Sequence, residues 1–267
     1  VHESALYLQM FDVLKRLRWL RVIAWVFLCS AFSAAQMVSI PGGSYVRGGS
    51  GGEEDELPAR TVTLDAFAMD RHEVSFASYD SCVQAGACSP AHYDDGKCII
   101  WTASGIQKVR VPKRFRSPEY PVVCVDWRQA RAYCRFRGKR LPTETEWEYA
   151  ASSGGKEGRY AWGDAVPDTT RCTRAATQHP RKSGSFPAND WGLYDMTGNV
   201  WEWTEDRYLK DNYEHTDGTN PKGPPVGRYR AVRGGGWYST PQQLRIRNRQ
   251  WFVPEYGEVS IGFRCVK

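Results

Sequence analysis

From Gly154 to the C-terminus the apolar residues follow no helical period. Glycine, proline, asparagine and aspartate recur, and the short apolar runs between them carry tryptophan or tyrosine. Such a stretch cannot form a helical bundle or an alternating α/β sheet. It predicts irregular loops joined by short strands, the last over 260–266. Eleven tryptophans and 25 glycines in 267 residues fit a loop-rich fold whose core rests on large aromatics. A hydrophobic content of 41% is enough to build that core.

Regular structure is expected earlier in the chain. Met37–Gly48 alternates apolar and polar residues around Pro41-Gly42-Gly43, which predicts strand, turn, strand. Gly49–Leu57 is a glycine-rich acidic loop, and Arg60–Met69 is a second strand with a buried end. Ser75 caps a short helix over 75–83, with Phe76, Tyr79, Cys82 and Val83 on its apolar side. Ala85–Glu119 is polar and reads as a disulfide-held insertion. Asp126 caps a second helix that Gly138 ends, with Trp127, Ala130, Tyr133 and Cys134 on one face. Thr143 and Glu146 form a capping box that opens a third helix, from which Trp147 and Ala150 point inward. Glu144, Glu146 and Glu148 then read as a solvated first turn rather than as a catalytic carboxylate pair.

Residues 1–35 read as an address. Lys15–Arg21 is basic, Val22–Phe32 is apolar but short for a membrane span, and Ser33-Ala34-Ala35 suits cleavage before Gln36. Met10 is the expected start, and Leu28 before Cys29 argues against lipoprotein processing. This places the chain in the periplasm or outside the cell. Cys82, Cys88, Cys98, Cys124, Cys134, Cys172 and Cys265 then imply three disulfides with one thiol left over. No Cys-x-x-Cys occurs, which argues against zinc. The net charge of +6 is mild and its basic clusters are short, which argues against nucleic acid. His92, His179 and His215 lack ligand spacing and read as surface residues.

Several segments, in order, resemble the formylglycine-generating enzyme (sulfatase-modifying factor) family. They include Ile40-Pro41-Gly42-Gly43, Tyr120–Trp127, Gly138–Glu144 with Glu146–Ala150, Asn189–Met196, Gly198-Asn199-Val200-Trp201-Glu202-Trp203 and Gly262-Phe263-Arg264-Cys265. The resemblance covers nearly all of residues 38–267. It implies an α+β fold, irregular and C-type-lectin-like, with few helices, short antiparallel strands and a ligand groove in its C-terminal part. It also implies a Cys134–Cys265 disulfide, a closure worth on the order of 4 kcal/mol.

Enzymes of that family oxidise a cysteine in a Cys-x-Pro-x-Arg segment to formylglycine, using O2 and copper held by two thiolates. Counted from Gly236, which stands at the family's serine, the two thiolate positions fall on Ser239 and Leu244. No catalytic residue is therefore assigned and copper is not expected. The branch that makes the carbon–sulfur bond of ergothioneine needs a histidine-bearing N-terminal domain that has no counterpart here. By the same resemblance, Asp195, Gly198, Val200 and Glu202 form a structural calcium site, through two carboxylates and two backbone carbonyls. Asn199 is a structural hydrogen-bonding residue, and Trp201 and Trp203 pack in the core.

The groove would draw on Trp237, Tyr238, Gln242, Gln243, Arg245, Arg249, Trp251, Phe252 and Tyr256. Aromatics, amides and arginines make an adaptable recognition surface. Arg245, Arg247 and Arg249 alternate as on one face of a strand. The sequence thus points to a module binding a protein, peptide or glycan, with a formylglycine-generating oxidase as the alternative.

Overall fold

Side-chain caps start the three longer helices where the sequence places them. The computed structural model describes residues 37–102, 104–173, 178–215 and 218–267. Helix α1 (Phe76–Gln84) begins where Ser75 Oγ accepts from the Ser78 N–H. Helix α2 (Trp127–Phe136) begins with a reciprocal box between Asp126 and Gln129, and Gly138, at φ 65°, turns the chain away after it. Helix α3 (Glu144–Ala151) opens with the Thr143–Glu146 box. A fourth, one-turn helix, α4, spans Asn212–His215.

The strands are short and fall into four small sheets. The central one has strand order β10 (Gln250–Phe252), β9 (Arg230–Arg233), β7 (Trp201–Arg207), β12 (Ile261–Gly262). A second sheet joins β2 (Gly43–Arg47), β3 (Arg60–Leu64) and β8 (Gly218–Thr219). A third joins β11 (Gly257–Glu258), β5 (Cys98–Thr102) and β6 (Gly105–Lys108), and a fourth pairs β1 (Met37–Ile40) with β4 (Phe67–Asp70). The longer ladders are antiparallel, while β8, β11 and β12 add on in parallel.

Three sequence expectations are corrected. The strand over 60–69 breaks at Asp65-Ala66, so that β3 and β4 serve different sheets. The insertion at 85–119 contains the β5–β6 hairpin, which its polar composition hides. The expected final strand shrinks to β12, because Arg264 and Cys265 turn inward, Arg264 onto Glu202 and Cys265 into a disulfide.

Val38–Lys267 form one compact unit. Tyr79, Tyr133, Trp203 and Phe263 pack between α1, α2 and the central sheet. Trp147 of α3 packs with Ile40, Tyr45, Met69 and Ile246. Trp201 and Trp203 are buried as expected, and Trp203 Nε1 donates to the Val125 carbonyl at 3.0 Å. Three disulfides staple the unit: Cys82–Cys88, Cys98–Cys124 and Cys134–Cys265. They include the expected Cys134–Cys265 bond, and Cys172 is buried outside them. Such bonds suit an oxidising compartment. Among the described residues no helix is long and apolar enough to cross a membrane. The expected leader at 1–35, including Met10 and Cys29, lies outside the described residues.

The carboxylates of α3 are not solvated. Glu144, Glu146 and Glu148 are all buried. Glu144 takes Arg233 Nη1 at 2.8 Å and Arg249 Nε at 2.8 Å, and Glu148 takes Arg233 Nη2 at 2.6 Å. Both arginine side chains are fully buried. Glu146 alone behaves as a capping residue, and it also pairs with the half-exposed Arg140.

Candidate functional site

The antiparallel register of the central sheet builds a hollow at one end. Gln250 lies opposite Val232, and Val232 opposite Trp203. Trp201, Val232, Trp251, Phe252 and Ile261 from this sheet, with Tyr238, Ser239 and Gln243, line a cavity of about 310 Å³. Trp101, Gln250 and Glu258 complete it. Packing beside the cavity is close at Gly236, where an added Cβ would sit 2.9 Å from Ser260 Cβ and 3.0 Å from the Trp201 ring. Trp251 is held between neighbours, with ring centroids 4.1 Å from Tyr229 and 6.1 Å from Trp101. Trp101 is 49% exposed at the mouth.

Hydrogen bonds fix the polar groups of this cavity. Tyr238 donates its hydroxyl to Glu258 Oε1 at 2.6 Å. Ser260 donates to Glu258 Oε2 through both N–H and hydroxyl, each at 2.6 Å. Burial holds the Glu258 carboxyl above the usual range against these donors. Ser239 Oγ accepts from the Gly236 N–H at 2.9 Å. The arrangement offers aromatic faces, two amides and a buried acceptor. That chemistry suits binding.

Four of the nine expected groove residues, Tyr238, Gln243, Trp251 and Phe252, line this cavity. Trp237 is buried and outside its lining, donating from Nε1 to the Val259 carbonyl. Gln242 and Tyr256 are exposed and outside its lining. Arg245 and Arg249 are corrections, since both are internal ion-pair residues. Arg245 clamps Glu56 with bonds of 2.6 and 2.8 Å. Arg249 holds Glu144 and the Asp55 carbonyl. The alternation of Arg245, Arg247 and Arg249 misleads because residues 241–249 are turns, and β10 starts only at Gln250.

Trp101, Trp201, Gln250 and Glu258 are cavity residues that the sequence does not announce. Trp101 carries the one available signal, in the apolar triplet Ile99-Ile100-Trp101 inside a polar insertion. His92 is also corrected. It is buried, with Nδ1 2.6 Å from Asp95 and Nε2 3.3 Å from Asp126, and so pins the insertion to the cap of α2. His215 is exposed as expected, while His179 is part-buried and stacks on Tyr120.

The expected calcium residues lie around a tight loop, in which Asp195, Gly198 and Asn199 all have left-handed backbones. Asp195 Oδ2 accepts from the Gly184 N–H at 2.6 Å. Burial, with the nearby Glu202 charge behind it, pushes Asp195 up to about 6, against that N–H and Arg264. Glu202 receives Arg264 on both oxygens and Trp147 Nε1 on Oε2. Glu73 lies nearby and bonds Ser183 and Asn199 through Oε2. Its Oε1 is buried with no hydrogen-bond partner among the described residues. Three carboxylates thus face one guanidinium, an excess that a cation would relieve. Glu202, however, is already engaged by Arg264. Among the described residues no three histidine, cysteine or acidic side chains converge as a metal cage. Asn199 is the structural residue expected, buried and also accepting from the Arg181 N–H.

The fold and groove define an irregular, lectin-like α+β domain. Residues 28–267 match the sulfatase-modifying factor enzyme 1-like domain, and the chain belongs to that family. It is 39% identical over 241 residues to serine/threonine-protein kinase Pkn1 of Chlamydia trachomatis serovar L2, a match covering 87% of this chain. The chain spans only 38% of the length of that kinase. It is 31% identical over 280 residues to the formylglycine-generating enzyme of Streptomyces coelicolor, covering 87% of this chain and 89% of that protein. PvdO from Pseudomonas aeruginosa superposes with a TM-score of 0.70 at 26% identity, covering 86% of this chain and 93% of that one.

Proposed function

We propose that this chain is an exported binding module for a protein, peptide or glycan, and not an oxidase. One observation carries the reading. Ser239, at the first thiolate position, faces the aromatic cavity with a hydroxyl tied to Gly236, and Leu244, at the second, is fully buried outside its lining. No cysteine lies between Trp237 and Arg249. A hydroxyl and an alkyl group cannot hold Cu(I) as thiolates do. Export is supported by the leader-like 1–35 segment and by the three disulfides.

Kinship with the Streptomyces enzyme favours the second reading, a formylglycine-generating oxidase. Competition for Cu(I) against a chromophoric chelator separates the two. The unaltered chain is expected to draw off no copper, and the Ser239→Cys/Leu244→Cys double variant to gain a site. Tight one-to-one Cu(I) binding by the unaltered chain would sink the binding-module reading. Calcium belongs to the same proposal, as a structural ion at the carboxylate excess around Asp195. Millimolar calcium should raise the melting temperature and EDTA should reverse it. An unchanged melting curve would remove calcium from the account.

A further inference from the structure

A second and larger cavity, of about 800 Å³, lies at the other end of β7 and β9. It shares no lining residue with the aromatic cavity. Helix α2, the β3–β4 connection, the end of β7 and the loop 220–225 form its walls. The volume suits a small molecule of one or two rings.

Its charge is lopsided, with eight basic lining residues and four acidic ones. The acids are largely committed within the protein. Glu146 holds Arg140, Asp206 accepts from the Glu144 and Gly223 N–H groups, and Asp65 accepts from Asn220. The bases are not all committed. Arg135, Lys222 and Lys267 have no side-chain hydrogen bond or ion pair among the described residues. Arg230 lies 3.6 Å above the Trp127 ring. Burial, then the nearby Arg207 charge, pulls it below the usual arginine range. Crowded, partly unpartnered cations of this kind suit an oxyanion, which guanidinium groups bind through paired N–H donors.

One acceptor is left over in the same wall. Glu205 Oε1 meets Arg131 at 3.2 Å, but Glu205 Oε2 is buried without a hydrogen-bond partner among the described residues. A bare anion would leave that oxygen unsatisfied, whereas a hydroxyl on the ligand would satisfy it.

We propose that this cavity binds a phosphate or sulfate ester of a small polyol. The oxyanion sits among Arg135, Lys222 and Arg230, and a hydroxyl donates to Glu205. This site is separate from the groove and does not depend on the function proposed for it.

The test is titration calorimetry of the folded chain with glucose 6-phosphate, glucose 6-sulfate, glucose and inorganic phosphate, at low and high salt. At least one ester should bind, more weakly as salt rises, and glucose should not bind. Which ester binds names the oxyanion. Arg135→Ala and Lys222→Ala should each weaken the ester about tenfold, the order of one lost charge-assisted hydrogen bond. Both side chains are exposed and without a side-chain hydrogen bond or ion pair among the described residues, and melting curves check that the variants fold. Glu205→Ala should narrow the ester's advantage over inorganic phosphate, because either anion gains from the lost carboxylate charge and only the ester loses an acceptor. No binding of either ester, binding indifferent to both cation variants, or phosphate binding as tightly as its ester would each overturn the proposal.

Discussion

Replacing Glu144 by glutamine should destabilise this protein markedly, because it leaves the buried Arg249 without the carboxylate it pairs with. The substitution keeps the shape of the side chain and removes its charge. Arg249 then loses its carboxylate partner Glu144 and keeps the Asp55 and Leu209 carbonyls, while Arg233 retains Glu148. Burial alone would raise the Glu144 pKa, but Arg249 and Arg233 overcome it and hold the group at about 2, against an ordinary 4.5. That displacement corresponds to roughly 3 kcal/mol of folding free energy. Stranding a buried guanidinium points the same way, at about 3–5 kcal/mol. Because the native pKa is depressed, the contribution is complete above pH 4.5 and fades as pH falls from 4.5 towards 2. Urea unfolding of wild type, Glu144→Gln and Glu146→Gln at pH 7 and at acid pH measures it. Glu146→Gln is the control, since its partner Arg140 is half-exposed. A Glu144→Gln loss below about 1 kcal/mol would refute the reasoning, because such a value is that of a surface pair. An unchanged gap between wild type and variant across that acid range would refute it equally.

Two further perturbations follow from the staples. Cys134→Ser with Cys265→Ser opens a closure of 131 residues and should cost about 4–5 kcal/mol in urea unfolding, and a loss below about 1 kcal/mol would contradict it. The hydrogen bond to Asp126, with that to Asp95 adding to it, raises the His92 pKa above the ordinary 6.5 despite burial. Its contribution is therefore full below pH 6.5 and lost as pH rises through the elevated value. Stability of wild type relative to His92→Gln should shrink across that window, and an NMR titration midpoint for the imidazole at or below 6.5 would contradict the assignment.

What the sequence makes legible is local. Ser75, Asp126 and Thr143 cap helices through bonds three residues away, so their role follows from spacing alone. The Gly198–Trp203 motif and the closing Gly-Phe-Arg-Cys are legible as family marks, and Cys134–Cys265 comes with them. What stays hidden depends on distant partners. Glu144 and Glu148 look like a solvated helix start until Arg233 and Arg249 arrive from 85–105 residues away. Arg245 looks like a ligand contact until Glu56 meets it from 189 residues away. Alternating arginines suggest a strand only if the chain is extended, and there it turns. Four of the eleven cavity residues, Tyr238, Gln243, Trp251 and Phe252, belong to the groove that the family resemblance implies. Trp101 and Glu258 were not foreseeable, since the insertion hairpin and β11 reach the cavity through a parallel pairing that no local pattern encodes.

The most direct measurement uses residues 36–267, purified oxidised with calcium and shown to be folded. The chain is incubated with Cu(I), O2, a thiol reductant and a Cys-x-Pro-x-Arg peptide, and mass spectrometry follows the peptide thiol. The account predicts no aldehyde above a metal-only control, because the family resemblance sets its two thiolate positions at Ser239 and Leu244. Turnover well above that control would contradict it and make this chain an oxidase with a different metal arrangement.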